Sequence, residues 1–116
     1  MNRLKRSDVT RIIKSIEKCI NLCRTLPTGR GFTRVEPIMS HLRQALEDLT
    51  NEDECCDSLE FNYYLKECNE ELKETFRLLN YLVIHSDGKP GEVALDMQKR
   101  LIKIRGMINQ HFWSGV

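Results

Sequence analysis

The chain lacks any long apolar run. No stretch of its 116 residues approaches the roughly 20 consecutive apolar residues a bilayer-spanning helix needs, so no membrane span is expected. The start, MNRLKRSDVTRIIKSIEKC, mixes charges into its apolar pattern and does not read as a secretory signal. Glycine and proline are scarce, at six and three residues. That is too few for a collagen-like, disordered or many-turned β chain. No segment keeps a two-residue alternation long enough to argue for a strand. The length fits one domain, residues 1–116, built around one core.

Four helical apolar repeats are present instead. In the first, about 8–26, Val9, Ile12, Ile16, Ile20 and Cys23 recur at steps of three and four, which places them on one helix face. Ser7 or Asp8 is the expected cap, and Pro27 and Gly29 the stop. The second, about 35–50, carries Val35, Ile38, Leu42, Ala45 and Leu49. Thr33 and Glu36 suggest a capping box, but Pro37 is best placed in the first turn, so the start falls between Arg34 and Pro37. The third, about 58–84, is the longest and carries Phe61, Leu65, Cys68, Leu72 and Leu79. Residues 86–91, rich in turn formers, break it. The fourth, about 91–113, carries Val93, Met97, Leu101, Ile104 and Ile108.

Helices with one apolar stripe bury it against each other. Connections of about six to eight residues favour antiparallel neighbours. The expected fold is therefore all-α, an antiparallel up-down four-helix bundle. A three-helix core with helix 4 exchanged into a partner is the structural alternative.

The formal net charge is +1, but it is segregated: residues 1–46 sum to +7, 47–74 to −9 and 75–116 to +3. Arg11, Lys14 and Lys18 form a basic stripe on helix 1, and Glu67, Glu70, Glu71 and Glu74 an acidic one on helix 3. In an up-down bundle these helices are diagonal, so the stripes cannot neutralise each other within one molecule. They are expected docking faces, which steer partners and set binding rates. Head-to-tail self-association is a further outcome the two faces allow. Lys99, Arg100, Lys103 and Arg105 add basic charge on helix 4. The −9 stretch would repel phosphates, and no aromatic interleaves with the basic stripe, so direct nucleic-acid binding is not expected.

Five cysteines, an odd number, point to free thiols in a reducing compartment, hence an intracellular, cytoplasmic setting. Cys23 and the pair Cys55–Cys56 fall at opposite ends of a bundle, about 20 Å apart. They cannot converge on one zinc. Cys19 and Cys68 are placed in one core layer, as small buried hydrophobes or a redox-linked pair. No metal or other cofactor is expected. No nucleophile motif and no phosphate-binding loop is readable, so the chain is not expected to be an enzyme. His41 is the one catalytic candidate, as in a histidine phosphotransfer bundle. Its context, His41-Leu42-Arg43-Gln44-Ala45, lacks the lysine and glycine of the usual His-x-x-Lys-Gly run.

Tyr63 and Trp113 are the expected exposed aromatics, suited to contact hot spots. If helix 3 overhangs its neighbours, Leu78, Leu79 and Leu82 would border a groove open to a partner helix. The run Leu65-x-x-Cys68-Asn69-Glu70-Glu71-Leu72-x-x-x-Phe76 resembles, over about a dozen residues, the last helix of the GAT domains of trafficking adaptors. That resemblance implies a helical bundle that binds ubiquitin or small GTPases. The primary expectation is an adaptor bundle for protein partners, with oppositely charged docking faces.

Overall fold

A computed structural model describes residues 4–50 and 59–113. Four helices follow in order: α1 (Arg6–Cys23), α2 (Val35–Thr50), α3 (Leu59–His85) and α4 (Lys89–Trp113). Each helix packs on the next, and α4 closes the ring by packing on α1; across the diagonals α1–α3 and α2–α4 no two Cα atoms come within 8 Å. Side-chain bonds fix the antiparallel sense. Across the α3–α4 seam, Asn69 Nδ2 donates to Asn109 Oδ1 (3.0 Å) and Gln98 Nε2 to Phe76 O (3.3 Å), so one number falls as the other rises. Leu4, ahead of α1, meets His111 at the end of α4. The fold is an antiparallel up-down four-helix bundle, with α4 packed within its own chain.

The apolar stripes meet along the bundle axis. Ile12 and Ile16 of α1, Ile38 and Leu42 of α2, Leu65 and Leu72 of α3, and Met97 and Leu101 of α4 are all fully buried. Burying each such side chain contributes about 1.5–3 kcal/mol. Among the described residues, four polar side chains are buried with them: Asp48, Thr75, Gln98 and His111. Thr75 Oγ1 donates to Glu71 O (2.9 Å), and His111 is bonded at both ring nitrogens.

Several local expectations change. The cap of α1 is Lys5, not Ser7 or Asp8. Asp8 lies in the first turn, where its carboxylate accepts the Lys5 N–H (3.0 Å) at the positive end of the helix dipole. Helix α1 ends at Cys23, and Leu26, beyond it, is still buried because a turn folds it back (Leu26 N–H to Cys23 O, 3.0 Å). Helix α2 begins at Val35, as expected, with Pro37 in its first turn, where a missing N–H removes no intrahelical bond.

The α3–α4 connection is only residues 86–88, shorter than expected, because Lys89, Pro90 and Gly91 already belong to α4. Gly88 turns the chain with a positive φ of 70°. Gly91 lies so close to Ser86 that a Cβ there would sit 2.3 Å from the Ser86 carbonyl oxygen. This tight turn brings α4 straight back along α3. Leu79 and Leu82 are therefore fully buried, and Leu78 is half-buried, so the expected overhang of α3 is not present among the described residues.

Candidate functional site

The basic stripe of α1 does not face solvent alone. Arg11, Lys14 and Lys18 stand on the flank of α1 next to α4, where they share a groove of about 340 Å³ with Arg100 and Lys103. Ser15, Ile104 and Met107 complete its lining. Two of the five cations have acidic neighbours. Arg11 lies 3.6 Å from Asp8, and Arg100 Nε lies 3.3 Å from Asp96 Oδ1. Lys14, Lys18 and Lys103 form no ion pair among the described residues. Arg100 and Lys103 were legible as basic residues but not as the second wall of a groove. Their three-residue step matches that of Arg11 and Lys14; the missing information was the register that sets them opposite.

The acidic stripe of α3 is divided. Glu67 and Glu70 are exposed, but the exposed cations Lys66 and Lys73 stand among them, and Arg77 Nε is 2.7 Å from Glu74 Oε2. The Arg77 hydrogen bond holds the Glu74 carboxyl below its ordinary range. Glu71 turns toward α2, where its Oε2 lies 2.5 Å from Nδ1 of His41. His41 is thus a partly buried histidine held by a carboxylate, a pairing that spacing alone did not reveal. The outer face of α3 is mixed in sign, whereas the α1–α4 groove is basic on both walls.

Two turns beyond His41, α2 buries Asp48. Its Oδ1 accepts from Gln44 Nε2 (3.0 Å), and its Oδ2 is buried with no partner. Burial raises its carboxyl above the usual range, and Glu71, Glu67 and Glu47 add to that. Asp48 adjoins Leu49 and follows Ala45 by three, which places it at the margin of the apolar stripe.

A more apolar cavity of about 530 Å³ lies at the α1–α2 connection, walled by Leu26, Phe32, Val35 and Met39 with Cys23 and Arg24. The Cys23 thiol points at Val35 O (3.9 Å), and burial pushes its pKa up to about 11. Burial likewise pushes Cys19 up to about 12 and raises Cys68 further. Protonated thiols are poor nucleophiles and poor metal ligands. Cys19 and Cys68 cannot form a redox-linked pair in this fold, because α1 and α3 are diagonal and no Cα of one comes within 8 Å of the other, beyond the reach of a disulfide. Cys55 and Cys56 lie outside the described residues. Among the described residues no group of three or more His, Cys, Asp and Glu is placed to hold a metal ion, and no helix is long and apolar enough to cross a membrane.

The aromatic candidates are separate. Tyr63, 59% exposed, lies edge-on to Tyr64 near the start of α3. Trp113, 78% exposed, ends α4. Arg34, at the start of α2, lies over the Tyr81 ring (3.5 Å from its centroid), a cation–π contact that ties this end of the bundle together. No family model, no curated protein and no solved structure matches the chain.

Proposed function

We propose that the chain is a protein-interaction module of adaptor type, acting by binding rather than catalysis. The observation that carries this reading is the unbalanced charge of the α1–α4 groove, with three lysines that no carboxylate of the described residues neutralises. Like charges brought together across two walls destabilise the free protein slightly, and an acidic partner would relieve that repulsion. The three buried, protonated thiols suit a reducing intracellular setting, where no bridge needs to form. The test is capture of partners from a native extract at low and at high salt, with the wild type and with Arg11, Lys14 and Lys18 all changed to Glu. Partners of the wild type should be released by salt and lost by the triple variant, with helicity intact by circular dichroism. Partners held equally by both proteins at high salt would refute the reading.

One observation favours a second reading. The Glu71 carboxylate at Nδ1 orients the His41 ring, as a phosphotransfer histidine would require, with Nε2 left as the nucleophile. A phosphoryl donor of small acyl phosphate type should then label the wild type and fail to label His41→Ala. Absence of labelling in the wild type would remove this reading.

A further inference from the structure

We infer that the groove between α1 and α4 takes an acidic helical segment of a partner protein; this rests on reading the basic face as a docking surface, and names what docks there. Both walls lie in mid-helix: residues 11–18 within Arg6–Cys23, and residues 100–107 within Lys89–Trp113. Backbone N–H groups there are committed to helix bonds, and no helix N-terminus opens onto the groove. Compact phosphate sites commonly rely on such free N–H groups. Here every donor is a side chain, and the three unpaired cations are all lysines, point charges on flexible stems. Such an array suits a row of carboxylates better than one dense anion.

The spacing fits a helix. Arg11 to Lys18 spans seven residues, about 10 Å along α1. A partner helix with carboxylates at i, i+3 or i+4, and i+7 repeats at the same pitch. The 340 Å³ volume, lined also by Ile104 and Met107, leaves room for acidic side chains and their apolar stems. A second copy of this chain is a poorer complement. The outer face of its α3 flanks Glu67 and Glu70 with Lys66 and Lys73, and would set lysine against lysine.

The test is an anisotropy titration of a labelled, helix-forming peptide carrying glutamates at i, i+4 and i+7, in low salt. The proteins are the wild type, Lys14→Glu, Lys103→Glu, Lys103→Gln and, as a control on α3, Lys66→Glu. Affinity should fall about tenfold for each reversal in the groove, about threefold for Lys103→Gln, and stay unchanged for Lys66→Glu. Thermal midpoints of the groove variants should not fall, because like-charge repulsion is removed. If Lys14→Glu weakens binding and both Lys103 variants do not, the two-walled groove is overturned while docking on α1 stands. If no groove variant weakens binding, the docking reading fails as well. Equal binding of a peptide with the same glutamates at scrambled spacing would overturn the helical partner. Tighter binding of tripolyphosphate than of the peptide would overturn it in favour of a compact polyphosphate. Dimerisation of the unliganded wild type, abolished by Lys103→Glu, would overturn it in favour of a second copy.

Discussion

At the scale of the residue, burial decides which polar groups shape this protein. Asp48 is 8% exposed, and its Oδ2 has no hydrogen-bond donor. With its pKa raised in the folded state, the fold prefers the neutral acid. The ionised form therefore costs stability at pH values above the folded pKa. That cost disappears as pH falls through the folded pKa toward the ordinary carboxylate range. Asp48→Asn should stabilise the protein by about 1 kcal/mol at pH 7, because the amide carries no charge into the buried site. Its advantage should shrink in urea melts at progressively lower pH; an advantage that grows with acidity would contradict the argument.

His111 is the opposite case, buried and satisfied. Nδ1 accepts the Leu4 N–H (3.0 Å), Nε2–H donates to Asn62 Oδ1 (2.8 Å), and the ring meets Phe61 and Phe112 edge-on. His111→Ala should cost about 3 kcal/mol, because it opens a cavity and strands both hydrogen-bond partners. Cys19, Cys23 and Cys68 should stay unreactive toward a thiol reagent in native buffer and become reactive in denaturant. His111 was legible in the sequence in one respect: it follows Ile104 by seven and Ile108 by three, on the stripe. A histidine there reads as a surface tip until its partners are known. The His41–Glu71 contact was not legible, because it depends on the angle between two helices.

At the scale of the element, the helices follow from apolar spacing, and the deviations occur where backbone contacts override residue type. Pro90 and Gly91 look like a continued break, yet both lie in the first turn of α4. Proline loses no bond there, and Gly91 is needed because the Ser86 carbonyl crosses above it. Gly91→Ala should destabilise by more than 1 kcal/mol, since backbone must shift to admit the methyl group. Gly106, exposed in mid-α4 with nothing within 4 Å of an added Cβ, should behave in reverse. Gly106→Ala should stabilise by about 0.5–1 kcal/mol through helix propensity. Thermal melts of the two variants, read side by side, check both expectations; equal effects would show that the tight turn imposes no constraint.

At the scale of the whole molecule, the closed ring of neighbours turns a linear charge pattern into surfaces. Four amphipathic stripes and short connections were enough to expect the up-down bundle, and that architecture is present. The same architecture makes α1 and α4 neighbours. It thereby joins Arg11, Lys14 and Lys18 to Arg100 and Lys103, residues more than 80 positions away. Sequence periodicity assigns a residue to a face of its own helix but not to a rotation about the bundle, so the joint groove emerged only from packing. The acidic stripe fared differently. Glu71 is drawn inward to His41, and Glu74 is matched by Arg77, leaving Glu67 and Glu70 among lysines.

Recognition of a partner by charge across both walls of the α1–α4 groove, as proposed, is tested most directly by a charge swap. A glutamate-bearing helical peptide is titrated against the wild type and Lys103→Glu, and then a peptide with one glutamate changed to lysine is titrated against both. One such single-lysine peptide should bind Lys103→Glu better than the wild type, restoring most of the affinity lost by the reversal. If every single-lysine peptide binds Lys103→Glu no better than the all-glutamate peptide does, Lys103 does not face the ligand and the account is contradicted.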